Sequence, residues 1–422
     1  MTSTLTASQG TSAKSTRPTR VLMLTHRLPY PPDRGDRIRS YHLLKHLSRH
    51  FDLAVACVSD EPVWLQHHQL LRTMARRVTL QPISTKWSAL RGAAALALGR
   101  PVTPDWHFRV GLGQQILQWH EQQPFDVVLT FCTGMINYAR LLVPPHEPGP
   151  DHGSVPAHPR HILDLVDVDS MKWESYARAS WPPLRWVYGA EASRLRGIES
   201  GRYDHFDGIT VVSEAEAVAY RQCVGQHPGL TVVRNGVDIG YFHPLADPDN
   251  HALVFVGVLN YRPNTEGITF FARQVMPLLR ERVPDAHLFI VGRHPTAAVL
   301  ELSQIPGVEV VGSVPDVRQY LARSSLVVAP LLLARGVQNK VLEAMASQRA
   351  VVCSSGAAKG IDATPGSHLA VADRPQEWVD QISALLADRS RRAAMAAAAR
   401  EHVEAVYSWE EAIKPMVKLI SQ

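Results

Sequence analysis

The sequence predicts an α/β fold in which two Rossmann-like, doubly wound domains face each other across a cleft. Short apolar runs alternate with helical segments along most of the chain, which is typical of parallel sheets covered by helices. Glycine-bearing loops follow several of these runs, at the sheet edge where such folds bind ligands. A length of 422 residues is enough for two domains of this kind.

The composition is that of a globular protein suited to anionic partners. Hydrophobic residues make up 45% of the chain, and no run of about eighteen uncharged apolar residues indicates a transmembrane helix. The net charge of +5 suits nucleotide diphosphates, polyprenyl phosphates or an anionic membrane surface. Nucleic acid is disfavoured, because the sequence has no zinc finger, RNA-binding aromatic signature or long basic arm. The four cysteines form no CxxC pair, which favours free thiols in a reducing cytosol over disulfides or zinc.

Residues 326–353 are predicted to form a strand, a glycine-bearing loop, a helix and a second strand. The free amides and the dipole at the helix start, residues 336–340, favour an anion, most simply a phosphate. Lys340 places a cation where the dipole alone disfavours one, and an anion between the two would resolve that conflict. Glu343, one turn further on, could accept hydrogen bonds from a ribose diol. A helix with ordinary solvated charges is the alternative.

One stretch in the first half of the chain repeats this arrangement. A predicted strand at residues 20–25 leads into a Pro/Gly loop that contains Gly35, and the nearby arginines favour an anion-facing role over a simple turn.

A second stretch ends in acidic residues. A strand from residue 161 runs into Asp167 and Asp169, which we expect to leave the sheet for the cleft, where Lys172 can pair with one of them. The alternative is that Asp169 or Ser170 caps a helix that starts near Met171, with helical structure continuing to about residue 203.

Residues 336–346, with the apolar pair at 351–352, resemble the donor-site signature of the family-four retaining glycosyltransferases, which have the GT-B fold. Glu343 matches the family's second signature glutamate, which implies contact with the nucleotide ribose. The first glutamate falls at Arg335, so the chain departs from the family there. An arginine at this place suits a diphosphate or a carboxylate on the sugar.

Three segments, residues 26–41, 167–177 and 335–346, further resemble a bacterial subgroup tied to the exosortase (PEP-CTERM) exopolysaccharide systems. This resemblance covers nearly the whole chain from Arg20 onward. It implies an acceptor domain at 19–235, a linker at 236–250, a nucleotide-sugar domain at 251–405, and a last helix at 406–422 that crosses back onto the first domain. Residues 1–18 are rich in Ser and Thr and lack a hydrophobic core, so we expect a disordered tail there.

The resemblance implies a hexosyl-type transfer from a nucleotide diphosphate sugar to a hydroxyl of a lipid-linked saccharide, with retention of configuration. Main-chain amides near Val337, with Lys340 and Arg262, would stabilise the leaving diphosphate. We expect catalytic roles for Lys340, Arg262, Asp167 and Asp169. Donor contacts are expected from Gly35, Gly257, Arg262, Arg293, Gly312, Val314, Arg335, Gly336, Val337, Lys340 and Glu343. Acceptor contacts are expected from Arg39, Asp169 and Lys172.

No metal and no cofactor beyond the co-substrate is expected, and the protein is expected in the cytoplasm, with peripheral contact at the inner membrane. The Ala/Leu-rich segment at residues 86–100 could make that contact, or pack on the protein core instead. Two other functions stay open. One is a sugar-nucleotide epimerase of the same fold. The other is a catalytically silent subunit of a polysaccharide assembly complex, which Arg335 in place of the glutamate would suit.

Overall fold

Two domains, each built on one parallel sheet, make up the protein, as the sequence predicts. The computed structural model describes residues 17–32, 34–60, 65–143, 158–202, 204–332 and 337–422. The predicted disordered tail, residues 1–18, therefore lies almost wholly outside the described residues, as do Arg335 and Gly336.

Within the described residues, the N-terminal sheet has seven strands in the order β3-β2-β1-β4-β5-β6-β7, and every pairing in it is parallel. The strands are β1 (Arg20–Thr25), β2 (Asp52–Ser59), β3 (Arg77–Pro82), β4 (Val127–Phe131), β5 (Arg160–Asp164), β6 (Gly208–Val211) and β7 (Leu230–Val232). The helices are α1 (Gly35–Leu47), α2 (Leu65–Arg72), α3 (Thr85–Ala97), α4 (Val102–His107), α5 (Val110–Gln122), α6 (Ile136–Ala139), α7 (Asp169–Ala179), α8 (Leu184–Glu199) and α9 (Glu214–Cys223), with a 3-10 turn at Thr133–Met135.

The C-terminal sheet, over the described residues, has six parallel strands in the order β10-β9-β8-β11-β12-β13. They are β8 (Ala252–Val256), β9 (His287–Val291), β10 (Val308–Gly312), β11 (Leu326–Ala329), β12 (Ala350–Cys353) and β13 (Ala370–Val371). The helices are α10 (Arg262–Phe270), α11 (Met276–Arg282), α12 (Ala297–Leu300), α13 (Arg318–Arg323), α14 (Asn339–Ala346), α15 (Ser355–Ala358), α16 (Pro375–Ala387), α17 (Arg389–Tyr407) and α18 (Trp409–Ser421), with a π-helical turn at Phe271–Val275 and a 3-10 turn at Glu301–Gln304.

The central strands are apolar along their length because helices cover both faces of each sheet. All residues of β4 and of β11 are buried. The last helix, α18, belongs to the N-terminal core, where Ile413, Met416 and Leu419 pack with Val21 and Met23 of β1. The order of strands brings the carboxyl ends of β1 and β4, and of β8 and β11, to neighbouring positions at which each sheet can bind ligands.

One local prediction needs correction. The long helix predicted from near residue 171 to about 203 is divided into α7 and α8, because Pro182 and Pro183 lie between them and proline cannot continue a helix. The segment at 86–100 forms a helix, α3, and one face of it is buried, which fits the expectation of a helix packed on the protein core. Trp87 and Leu90 are 66% and 60% exposed. No helix in the described part of the chain is both long and apolar enough to cross a membrane.

The chain passes between the domains at two places that are bonded to each other. The Val237 amide donates to the Tyr407 carbonyl at 2.7 Å, and Val237 pairs with Ser408 in an isolated parallel bridge. Gly236 lies against Trp409, where a Cβ atom would come within 2.6 Å of the indole ring. The two crossings therefore form one hinge, and only glycine fits at residue 236.

Candidate functional site

Lys340 lies in the first turn of α14, the helix that follows β11. Its Nζ atom donates to Asn264 Oδ1 at 2.5 Å and lies 5.1 Å from the centre of the Phe255 ring. Asn264 is fixed in turn, since its side-chain amide donates to the Val258 carbonyl at 2.8 Å. The loop after β8 and the start of α14 are thus joined at one point of the sheet edge, and a neutral side chain holds the amine there.

Burial shifts the pKa values of both charged residues of α14 toward neutrality. It lowers the pKa of Lys340 to about 8, although Glu343 opposes this shift. It raises the pKa of Glu343 to about 7, although Lys340 opposes this shift. An anionic ligand would restore the charge on the lysine, and the ionised glutamate can accept hydrogen bonds from a diol. The pair suits a ligand that carries both phosphate and hydroxyl groups.

The predicted glycines of this domain lie at strand ends but have different surroundings. The Gly257 amide donates to the Val291 carbonyl at 3.0 Å, so it is already used in the sheet. A Cβ atom on Gly292 would lie 1.6 Å from the Gly257 carbonyl oxygen, so a side chain is excluded where these two turns touch. Gly312 has a φ of +79° and open space around it.

Three further residues predicted to bind the donor lie along the same edge. Val314 and Val337 are partly buried against the C-terminal core. The carbonyl of Arg293 accepts from the Leu259 amide at 2.8 Å, which ties the loops after β8 and β9 together. Arg335 and Gly336 lie outside the described residues.

Arg262 begins α10, two residues before Asn264. Its guanidinium is 79% exposed and forms an ion pair with Glu266 at 2.7 Å. The pair lies on one exposed face of the helix, at the spacing of one turn. Arg262 is thus accessible, and its role toward a diphosphate stays a prediction.

A cavity of about 390 Å³ lies between the domains, and residues of both contribute to it. Asn339 and Glu343 come from α14, and Tyr41 and Lys45 come from α1. The remaining lining residues are Pro32, Ile38, His42, Gly236, Val237, Asp238, Tyr241, Phe242 and Trp409. Asn339, the residue before Lys340, and Pro32 and Ile38, which flank Gly35 along the chain, thus line the same cavity, although Lys340 and Gly35 are not among its lining residues.

His42 and Trp409 form part of the cavity wall as a stacked pair. Their ring centroids are 4.6 Å apart and their planes differ by 5°. Burial lowers the pKa of His42 to about 3, although Asp238 opposes this shift, so the imidazole is neutral at physiological pH. Through this stack the start of α18 becomes part of the cleft wall. No pattern in the residues next to His42 or Trp409 predicts that the two rings meet.

Arg39 is a structural residue, which corrects the prediction that it contacts the acceptor. Its side chain is 0% exposed, and it binds Asp164 through two hydrogen bonds of 2.9 and 2.6 Å. The same guanidinium donates to the Val233 carbonyl at 2.9 Å and to Asn235 Oδ1 at 3.0 Å. With these partners it holds α1, β5 and the segment before the hinge together.

Gly35 and the acidic loop after β5 lie at the edge of the N-terminal sheet. Gly35 begins α1 and is exposed. Asp169 accepts from Thr133 Oγ1 at 2.5 Å and from the Thr133 amide at 3.2 Å, which joins the ends of β4 and β5. Asp167 is exposed. Burial disfavours the charge on Lys172, but nearby groups, Asp169 foremost, raise its pKa.

Two facing Rossmann-like domains with a cavity between them define the GT-B class of protein. Residues 250–388 match the family model described as "Glycosyl transferases group 1". The GDP-mannose-dependent monoacylated alpha-(1-6)-phosphatidylinositol monomannoside mannosyltransferase of Corynebacterium glutamicum is 29% identical over 230 residues, which is 48% of this chain. The match covers only 59% of that relative's length.

Solved structures are similar over almost the whole chain. Anabaena HepE in complex with UDP has a TM-score of 0.64 at 14% identity, over 96% of this chain and 100% of that one. Sucrose-phosphate synthase of Thermosynechococcus elongatus has a TM-score of 0.66 at 15% identity, over 96% of this chain and 98% of that one. These likenesses establish the GT-B fold, and together with the family match and the relative they support a transferase.

Proposed function

We propose that this protein is a retaining glycosyltransferase that moves a sugar from a nucleotide diphosphate sugar to a hydroxyl of a saccharide acceptor. The observation that carries the proposal is the cavity between the domains. It is lined by Glu343 and Asn339 from one side and by α1 from the other, with the Lys340 amine one turn from Glu343. Anabaena HepE, which shares the fold, has been solved with UDP and with UDP-glucose. This supports a nucleotide-sugar donor in the same class of cleft.

We assign the donor to the C-terminal domain. Lys340 would bind the diphosphate, because its partner Asn264 is neutral and leaves the positive charge to the ligand. Glu343 would accept from the ribose hydroxyls. As the bond to the sugar breaks, negative charge grows on the leaving diphosphate, and a fixed cation stabilises that charge more than it stabilises the ground state. Arg262 is the second cation assigned to this task.

We assign the acceptor to the edge of the N-terminal sheet. Asp169 is held there by Thr133, and Lys172 lies close enough to Asp169 to have its pKa raised by it. Asp169 and Asp167 would orient the incoming hydroxyl. No side-chain nucleophile is assigned, since the departing phosphate can itself take the proton of that hydroxyl.

The acceptor we propose is a lipid-linked saccharide of exopolysaccharide synthesis, used at the cytoplasmic face of the inner membrane. The resemblance of residues 167–177 to the exosortase-associated subgroup supports this, and so does the name of the Corynebacterium relative, which describes a lipid acceptor. Exposed aromatic and apolar side chains at Trp87, Leu90 and Leu98 of the α3 region offer a surface for peripheral membrane contact.

A panel of GDP- and UDP-sugars tests the donor assignment. A ligand that binds only the native state raises its stability, by about 2.7 kcal/mol at a hundredfold excess over Kd. We expect one nucleotide sugar to raise the melting temperature of the native protein and to have no such effect on the Lys340→Met variant. If no member of the panel stabilises the native protein, the proposal is wrong.

Product analysis then separates transfer from its rivals. With an acceptor present, we expect a glycosylated product with retained anomeric configuration and free nucleotide diphosphate. Release of an epimerised nucleotide sugar without acceptor would identify an epimerase instead. Binding without turnover under any acceptor would favour a silent subunit.

A further inference from the structure

Cys132 lies at the carboxyl end of β4, beside a histidine and a carboxylate from another part of the chain. Its Sγ atom is 3.4 Å from His26 Nδ1. The other ring nitrogen, Nε2, is 3.4 Å from Asp36 Oδ2, and Arg27 donates to that same oxygen at 2.7 Å. A thiol, an imidazole and a carboxylate in this order are the arrangement that activates a nucleophile.

The backbone at Cys132 has an unusual conformation for a residue with a side chain. Its φ is +60° and its ψ is 163°, between the end of β4 and the 3-10 turn that follows. Non-glycine residues in this region are strained, and such strain is found preferentially at functional sites. The thiol remains partly exposed. Burial instead raises the pKa of both Cys57 and Cys353 to about 12, so those two thiols are inert.

Positively charged groups lie near Cys132. Burial opposes a charge on His26, but the Cys132 sulfur and the Asp36 carboxylate raise its pKa to about 10, so the imidazole carries a proton at neutral pH. Lys172 is near enough that Cys132 contributes to raising its pKa. Two further groups lie next to His26: Arg27, which adds positive charge, and His107, whose pKa burial lowers to about 4. Reactive cysteines occur in such electropositive, partly exposed surroundings.

We propose that Cys132 is a covalent modification site, whose thiolate exchanges with small-molecule disulfides. The Sγ atom attacks one sulfur of the disulfide, the bond between the two reagent sulfurs breaks, and a mixed disulfide forms on Cys132. The departing half leaves as a thiolate, which takes a proton from the His26 imidazolium or from water. Cys132 is oxidised and the departing half is reduced, so no further oxidant is needed.

The adduct would lie at the edge that we assign to the acceptor, and this part of the inference rests on the proposed function. The next residue, Thr133, donates to Asp169 through both its hydroxyl and its amide. A group attached to Cys132 therefore lies beside Asp169 and Lys172, on the N-terminal side of the cleft. It blocks use of the acceptor and leaves donor binding at Lys340 intact.

The test of reactivity uses the native chain and a neutral aromatic disulfide, dithiodipyridine, which releases a coloured thione. Cys223 is the control within the same molecule, because it is exposed. We expect peptide mass spectrometry to find the first adduct on Cys132 and the Cys132→Ser variant to lose the fast phase. The His26→Asn variant should slow that phase about tenfold, because it removes the imidazole that contacts the attacking sulfur. The Asp36→Asn variant, with its thermal unfolding measured alongside, provides a second variant in case His26→Asn fails to fold.

Faster labelling of Cys223, or an unchanged rate at Cys132 in both folded variants, would overturn the assignment. These outcomes do not depend on any transferase activity. The consequence for transfer is measured separately, on protein modified at Cys132 and then treated with dithiothreitol. We expect acceptor-dependent turnover to fall and to return on reduction, while stabilisation by the donor is unchanged. Full turnover in the modified protein would refute the acceptor-side placement without affecting the reactivity result.

Discussion

The Lys340 Nζ atom lies 2.5 Å from Asn264 Oδ1, and that single contact connects the starts of α14 and α10. Because the partner is an amide and not a carboxylate, the lysine charge is positioned but not neutralised. Burial already lowers the pKa of Lys340, so an anion that restores the charge also relieves an unfavourable environment.

Replacing Lys340 should therefore affect turnover more than folding. We expect Lys340→Met to reduce kcat by a factor of about 10² to 10³, the usual cost of losing one electrostatic donor to developing charge. The melting temperature should stay the same or rise, because an amine is no longer kept in a buried place. Lys359→Met, at an exposed lysine of the same domain, is the control. Equal turnover in the two variants would exclude Lys340 from the reaction.

Glu343 predicts a pH dependence of stability. Its folded pKa, about 7, is above the ordinary value of 4.5, so between these values the native state keeps a proton that the unfolded chain has lost. The free energy of unfolding should therefore fall as the pH rises through this window. Glu343→Gln should remove that fall and gain about 1–3 kcal/mol above neutral pH.

The measurement for Glu343 is urea unfolding at about pH 5 and about pH 8, with exposed Glu301→Gln as the control. Donor affinity should show the opposite trend in the native protein, because only the ionised carboxylate accepts two hydrogen bonds from a diol. A stability difference that is the same for Glu343→Gln and for the native protein would show that Glu343 has no raised pKa.

The Arg39–Asp164 pair predicts a loss of stability that has no counterpart in substrate binding. Arg39→Met should cost about 3–5 kcal/mol, because it leaves a buried carboxylate without its cation. Adding Asp164→Leu should restore part of that loss, though not the bond from Thr210 Oγ1 to Asp164 at 2.6 Å. Urea unfolding of the single and double variants measures this. If folded Arg39→Met protein has a raised KM for the acceptor, Arg39 contributes to acceptor binding after all.

For Arg262 we expect the opposite of the result for Arg39, namely an effect on turnover with little effect on stability. Its ion pair with Glu266 is exposed and contributes little to folding, so Arg262→Ala should leave the free energy of unfolding nearly unchanged. If Arg262 binds the diphosphate, kcat/KM for the donor should fall about tenfold, the value of one weakly screened charge contact. Arg273→Ala, at another exposed arginine nearby in the chain, is the matched control.

The features that the sequence predicts correctly are those that depend on neighbouring residues. Alternation of apolar runs and helical segments is a local pattern, and it predicts the fold class. Lys340 and Glu343 are one turn apart on a helix, so their common face follows from the sequence. The break between α7 and α8 is also local, because Pro182 and Pro183 mark it in the sequence.

What the sequence could not predict depends on pairs that are far apart along the chain. Arg39 and Asp164 are separated by 125 residues, and nothing near Arg39 indicates that its charge is neutralised inside the protein. Cys132 and His26 are separated by 106 residues, so the sequence does not distinguish Cys132 from the other three cysteines. Asn264 also lies far from Lys340 along the chain, and its role in holding the amine follows only from the contact.

Helix α18 has a consequence for how the polypeptide reaches its final form. Its residues Ile413, Met416 and Leu419 complete the apolar layer over β1, yet they are translated after the whole C-terminal domain. Domains commonly fold in the order in which they are made. Here, however, part of the hydrophobic surface of the N-terminal domain stays uncovered during synthesis until α18 has been made. The half that emerges first from the ribosome is, in this protein, finished last.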